Sequence, residues 1–170
     1  VVPKNGHAFV RAWLTSDVSQ SMIVPDQIRK CVAFVGLRMA DGTFRFAGSG
    51  FFLGRDEEGG RATSIRFVTA RHVIDGIRGK LLSEVYLRLN RTQGDAAWVQ
   101  TNIDDWFSHP IDRSIDVAVL RCGIPEEYDH LVLPFSLCGT DDKLKQNEVG
   151  LGDEVFITGL FRHHHGSRRN

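Results

Sequence analysis

The sequence lacks any long apolar stretch: its uninterrupted hydrophobic runs extend only a few residues, against the roughly 20 that a membrane helix needs. No transmembrane span is expected. It also lacks a charge excess, since 21 Lys and Arg stand against 21 Asp and Glu for a formal net charge of zero. Domains that grip phosphate backbones carry a basic surplus, so nucleic acid is not an expected partner. Cysteine is sparse and odd in number: Cys31, Cys122 and Cys138 show no C-x-x-C spacing, which excludes a disulfide framework and a zinc ribbon. Cys31 and Cys122 sit within apolar runs, where a free thiol packs as a small hydrophobe. The first twenty residues contain Lys4 and Arg11 but no apolar core followed by a small-residue cleavage site, so no secretory signal is read and a reducing, cytoplasmic setting is expected. Internal repeats and low-complexity segments are missing too.

What is present is ordinary globular material, 170 residues with 42% hydrophobic and 25% charged. A chain of that length can bury roughly 70% of its unfolded surface, enough for a core without disulfides or metals. From residue 31 onward short β-type runs alternate with turn residues, the pattern of an all-β barrel or sandwich. Strands are predicted over 31–38, 44–54, 64–70, 84–90, 96–101, 115–122 and 153–160. Ala40-Asp41-Gly42-Thr43 reads as a hairpin with a type I′ turn. Val85, Leu87 and Leu89 alternate with Tyr86, Arg88 and Asn90 as in a half-buried strand. One short helix is expected around 72–77, ended by Gly76 or Gly79. Residues 1–27 read as a weakly structured leader in which Met22 is a candidate start, 28–123 as a barrel, 124–151 as a connection marked by Pro125 and Pro134, and 152–170 as the beginning of a second barrel.

Two segments carry chemistry. In Phe67-Val68-Thr69-Ala70-Arg71-His72 a strand runs into a helical turn, which would hold an imidazole still at the end of a rigid element, as a general base requires. In Ser114-Ile115-Asp116-Val117-Ala118-Val119-Leu120 one carboxylate heads an apolar strand, where it can accept the Nδ1 proton of a histidine and fix its tautomer. The plainer alternatives are a rim histidine bonded to a backbone carbonyl and an aspartate serving as a turn cap. Asp112, in the polar Pro110-Ile111-Asp112-Arg113 loop, competes with Asp116. His163-His164-His165 invites a metal reading, but alternation puts only His163 and His165 on one face, too few for tetrahedral zinc; a solvated loop is expected. Trp13, Trp98 and Trp106 have no regular spacing and are expected to pack.

At these residues the chain resembles the trypsin-like (chymotrypsin-fold) serine peptidases, particularly the bacterial members. Gly48-Ser49-Gly50-Phe51 matches the G-S-G-F strand, Thr69 to His72 the T-A-x-H motif, Asp116 to Leu120 the D-x-A-[VL]-L motif, and Gly152 to Gly159 the G-D-x-V-x-x-x-G strand, in family order. The resemblance implies a six-stranded antiparallel barrel plus the start of a second, with His72 as general base and then acid, Asp116 as its orienting carboxylate, and a polypeptide as substrate. It implies no cofactor or metal. The family's G-x-S-G nucleophile has no counterpart: Ser136 is followed by Leu137, Ser167 lacks the flanking Gly, and Ser49 falls in the strand motif. Cys138 of Ser136-Leu137-Cys138-Gly139 resembles the G-x-C-G of viral relatives but lacks the first Gly and lies too close after Asp116. The nucleophile is therefore expected downstream of this chain, which begins at Val1 without Met. The rival expectation is a non-catalytic peptidase-fold module that binds peptides or a partner protein.

Overall fold

In a computed structural model, residues 26–56 and 62–160 are described. A 3-10 turn, Asp26–Cys31, leads into β1 (Val32–Arg38), β2 (Phe44–Asp56) and β3 (Ala62–Thr69). Helix α1 (Arg71–Arg78) follows, then β4 (Glu84–Asn90), β5 (Ala96–Asn102), β6 (Trp106–Ser108), β7 (Ala118–Cys122), β8 (Leu133–Pro134) and helix α2 (Asp141–Gln146). The main sheet runs β5-β4-β1-β2-β3-β7-β6, antiparallel at each of these pairings, with β8 added parallel to β2.

The two ends of that order belong to one stretch of chain. Residues 96–102 pair with β4 and residues 106–108 with β7, separated only by the 3-10 turn Ile103–Asp105. The bend is held by Asn102 Oδ1, which accepts the Asp104 N–H at 2.9 Å, and by the Ile103 N–H, which donates to the Ser83 carbonyl at 2.8 Å. Counting this bent stretch once, six strands close on themselves, which is the all-β barrel expected. Its interior is filled by residues that alternation aims inward, among them Val35, Phe52, Phe67, Val85, Leu87 and Leu120, with Ile74 and Ile77 of α1 buried in the same core. Phe67 meets Phe52 and Trp106 edge-on, at ring-centroid distances of 5.0 and 6.0 Å. Closure leaves the barrel without open edges at these strands.

Several local expectations are corrected. The 39–43 hairpin exists, but its turn is not type I′: among residues of positive φ the loop contributes only Gly42, at 81°. The Gly42 N–H reaches the Met39 carbonyl at 2.9 Å and the Met39 N–H the Thr43 carbonyl at 2.7 Å, a three-residue loop closed by a left-handed glycine. The strand expected from 115 begins at Ala118 instead. Its two neighbours stop there, since Thr69 and Ser108 both pair with Ala118, so residues 115–117 have no ladder to join. The strand expected over 153–160 is not formed. Those residues are irregular, with Val155 and Ile157 exposed; their alternation is strand-like, but a strand needs a neighbouring edge and none of the described strands offers one. Short β6 and α2 were not anticipated. Cys31 is buried as expected, and Cys122 partly so; burial pushes both thiols up to about 11.

Segment 124–151 returns across the barrel, tied down by backbone hydrogen bonds and by an ion pair to Lys30. The Asp129 N–H donates to the Asn90 carbonyl and the Leu131 N–H to the Lys30 carbonyl, while Lys30 Nζ meets Asp129 Oδ1 at 2.7 Å. Among the described residues no helix is long and apolar enough to cross a membrane.

Candidate active site

β3 ends at Thr69, whose side chain is buried and whose Oγ1 donates to the Ser49 carbonyl on β2 at 2.8 Å. The last residue of the strand is thereby locked to its neighbour. Ala70 then takes an extended conformation (φ −71°, ψ 138°) as the N-cap of α1, with no side-chain hydrogen bond to the helix. An alanine cap leaves the first-turn N–H groups without the oxygen that Ser, Thr, Asp or Asn would supply. That oxygen arrives from a distant part of the chain.

Asp116 Oδ1 accepts the backbone N–H of His72 at 2.8 Å, and Asp116 Oδ2 lies 2.6 Å from His72 Nδ1. One carboxylate thus grips both the main chain and the ring of the same residue, at the positive end of a helix. The His72 backbone N–H, and next its ring, hold the Asp116 carboxyl below the usual carboxylate range, with Arg71 adding a smaller push in the same direction. With an ionised Asp116 as acceptor, Nδ1 carries the proton and Nε2 keeps its lone pair. Both side chains are open to solvent, His72 at 74% and Asp116 at 50% exposure.

The glycines of the Gly48-Ser49-Gly50 run have a packing role. A Cβ at Gly48 would come within 2.8 Å of Val73 Cγ2 on α1, and one at Gly50 within 2.3 Å of the Val68 carbonyl and 2.5 Å of the Phe67 ring. Side chains here would push α1 and β3 away from β2. These two glycines therefore set the distance at which His72 sits on the barrel.

Of the residues singled out in sequence, His72 and Asp116 come together. Asp112 does not join them: its carboxylate closes a local turn with the Ser114 N–H (2.8 Å) and Oγ (2.7 Å). Ser49 lies within β2, as expected. Ser136 and Cys138 belong to a 3-10 turn at Phe135–Leu137 and its cap, where the Ser136 carbonyl accepts from Lys143 Nζ. Among the described residues the His72 side chain bonds to Asp116 alone. Ser167, Trp13 and His163 to His165 lie outside the described residues, and among those described no cluster of three His, Cys, Asp or Glu is placed to hold a metal.

A groove of about 950 Å³ adjoins the imidazole, lined by Phe44, Phe46 and Ala47 of β2 together with His72, Val73 and Lys80. No family model matches the chain, and no curated protein matches it. Among solved structures the chain is similar to a protease from an insect. That structure is the Drosophila Grass clip serine protease of the Toll pathway, 19% identical over 80% of this chain, with a TM-score of 0.41. The match takes in 40% of that protein's chain. Sequence reasoning missed Thr69 as the anchor of the strand end and Arg71 as a charge beside Asp116. The T-A-x-H motif contains both positions, but neither the Ser49 carbonyl nor the approach of Asp116 can be inferred from their neighbours in sequence.

Proposed function

We propose that this chain carries the base-bearing barrel of a serine-type endopeptidase, with His72 as general base and Asp116 as its orienting carboxylate. The observation that carries this reading is the two-point contact of Asp116 with the His72 N–H and Nδ1. It leaves Nε2 as the one basic atom facing solvent, in position to take the proton from an attacking hydroxyl and later return it to a leaving amine. Asp116 would stabilise the imidazolium formed between those steps. The groove along Phe44 to Ala47 would receive the polypeptide beside the imidazole. The hydroxyl itself, and the N–H groups that stabilise the oxyanion, would come from a G-x-S-G segment, which this sequence does not contain; the family places it in a second barrel.

Two measurements test the reading. In long-range ¹H–¹⁵N spectra, His72 of the 170-residue chain is expected as the Nδ1–H tautomer at neutral pH. Asp116→Asn should reverse this, because a carboxamide oriented by the His72 N–H presents its NH₂ to the ring. An Nε2–H tautomer in the parent chain refutes the general-base role. A fluorophosphonate probe is expected to leave the 170-residue chain unlabelled; labelling would place the nucleophile within it. If the barrel joined to its G-x-S-G segment also stays unlabelled, the non-catalytic binding module is the correct reading. In that joined form Asp116→Asn should lower turnover by about four orders of magnitude, as in triad enzymes generally.

A further inference from the structure

A second cavity, of about 590 Å³, lies between α1 and the loop that follows β6, lined by Arg71, Asp75 and Arg78 from the helix, by Ser108 at the end of β6, and by His109 and Arg113 from the loop. Three arginines face one aspartate in it. Asp75 neutralises them poorly, with its oxygens 3.5 Å from Arg71 Nε and 3.5 Å from Arg78 Nη1. Arg71 Nε is sealed from solvent and has no hydrogen-bond acceptor, a state that costs free energy unless an acceptor is supplied. Arg113 makes no ion pair or hydrogen bond among the described residues; the carboxylates of Asp112 and Asp116 act on Arg71 only through space, their hydrogen bonds going to Ser114 and His72. His109 Nδ1 accepts the Asp112 N–H at 2.8 Å, so the proton of the neutral ring sits on Nε2 as one more donor.

We propose that this cavity binds an acidic side chain of a polypeptide, its carboxylate held by Arg71, Arg78 and Arg113. Guanidinium groups suit a carboxylate because their paired N–H donors match its two oxygens. A cationic lining excludes a metal ion. The choice of a polypeptide as carrier rests on the peptidase-cleft reading above: Arg71 directly precedes His72, and successive residues of an extended chain advance by only about 3.3 Å, so a peptide lying at the imidazole has side chains within reach of the arginines. The cavity is far larger than a single small oxyanion needs, and it has room for a Glu or Asp side chain with part of its backbone.

The test titrates the full 170-residue chain into fluorescein-labelled tetraglutamate, with tetraglutamine as the uncharged twin, and follows anisotropy at low salt and at about 0.15 M salt. Tetraglutamate should bind at least about tenfold more tightly than tetraglutamine. Arg113→Gln and Arg78→Gln should each weaken it by roughly three- to tenfold. Arg78 also donates to the Ile103 carbonyl at 3.3 Å, so its variant can lose folding; Arg113 has no such contact, and its variant, checked by circular dichroism, carries the decision. His72→Ala should bind tetraglutamate like the parent, which separates this site from the catalytic reading: a failed dyad leaves the binding intact. Equal affinity for tetraglutamine, or an unchanged affinity in folded Arg113→Gln, overturns the proposal. So does displacement by inorganic phosphate at the same concentration, or tighter binding of a single-stranded oligonucleotide of equal charge.

Discussion

The distance between α1 and the barrel can be tested at Gly48. In Gly48→Ala the new methyl would lie 2.8 Å from Val73 Cγ2 and 3.1 Å from Val73 Cγ1, closer than carbon atoms rest, so helix or strand must shift. Overpacking of this kind costs about 1–3 kcal/mol, while the loss of glycine's freedom in the unfolded chain returns about 0.4–1 kcal/mol. A net destabilisation of about 1 kcal/mol is expected. Val73→Ala alone should cost about 2 kcal/mol, because it removes two methyls from a buried position. In the double variant both Cγ atoms are gone and the nearest neighbour of the new methyl is the Cβ at position 73, 3.5 Å away, an ordinary contact. The pair should therefore be about as stable as Val73→Ala alone, or slightly more so, giving a coupling of about 1 kcal/mol or more. Urea denaturation followed by tryptophan fluorescence measures all four corners of the cycle, since Trp98 and Trp106 belong to the barrel. The His72 Nδ1 proton shift should move in Gly48→Ala and return in the double variant. Additivity within about 0.3 kcal/mol, or a Gly48→Ala barrel more stable than the parent, would refute the argument that this glycine sets the helix position.

Gly50→Ala is expected to be worse, about 3 kcal/mol or beyond, because its Cβ would meet a backbone carbonyl at 2.3 Å that cannot swing aside; a urea midpoint equal to that of Gly48→Ala would contradict this. For pH dependence, the carboxyls of Asp112 and Asp116 lie below the ordinary range, the first through the Ser114 side chain and then its N–H, the second through the His72 N–H and then its ring. A carboxyl lowered on folding contributes stability that is complete above its unfolded value, about 3.9, and is lost as pH falls through its folded value. Stability should thus fall on acidification below about pH 4, less steeply in Asp112→Asn, and an unaltered slope in that variant would count against the assignment. Cys31 and Cys122, with thiols pushed up to about 11, should react with a disulfide reagent at pH 8 about two orders of magnitude more slowly than an unperturbed cysteine. Three equivalents released at once would show the burial to be wrong.

The strands at 84–90 and 96–101 were legible because alternation reports a surface with one buried face, and the turn residues around them are local signals. What was not legible depends on where other strands stop. Residues 115–117 are as strand-like in composition as 118–122, yet they leave the ladder because Thr69 and Ser108 are the last residues of its two neighbours. Residues 153–160 illustrate the same point: their alternation states what the segment can do, and pairing requires an edge that the closed barrel lacks. The hairpin at Gly42 was located correctly, while its turn type was not, since Asp-Gly suits both a two-residue turn and a three-residue loop ended by glycine. The pairing of His72 with Asp116 instead of Asp112 was legible through the motif order, but the physical discriminator is nonlocal. Asp112 has a serine two residues on to satisfy its carboxylate, whereas Asp116 is followed by apolar residues and has to find donors elsewhere.

Those donors explain why one carboxylate both completes the helix start and orients the His72 ring. α1 starts on an alanine, so its first turn lacks a local cap, and the oxygen that takes the His72 N–H comes from Asp116, on a loop anchored by β7. Had Ala70 been a serine, the helix would satisfy itself and the loop would have no reason to come near. As built, the same contact that completes the helix end also brings the second carboxylate oxygen to Nδ1, so the ring is oriented as soon as the helix is capped. The two roles can still be separated by substitution. An asparagine at 116 retains a carbonyl oxygen for the His72 N–H but presents the ring with a donor in place of an acceptor. It should preserve the helix start and reverse the tautomer, whereas alanine should disturb both. A variant pair that differs in tautomer and not in helix capping would assign Asp116 its chemical role independently of its structural one.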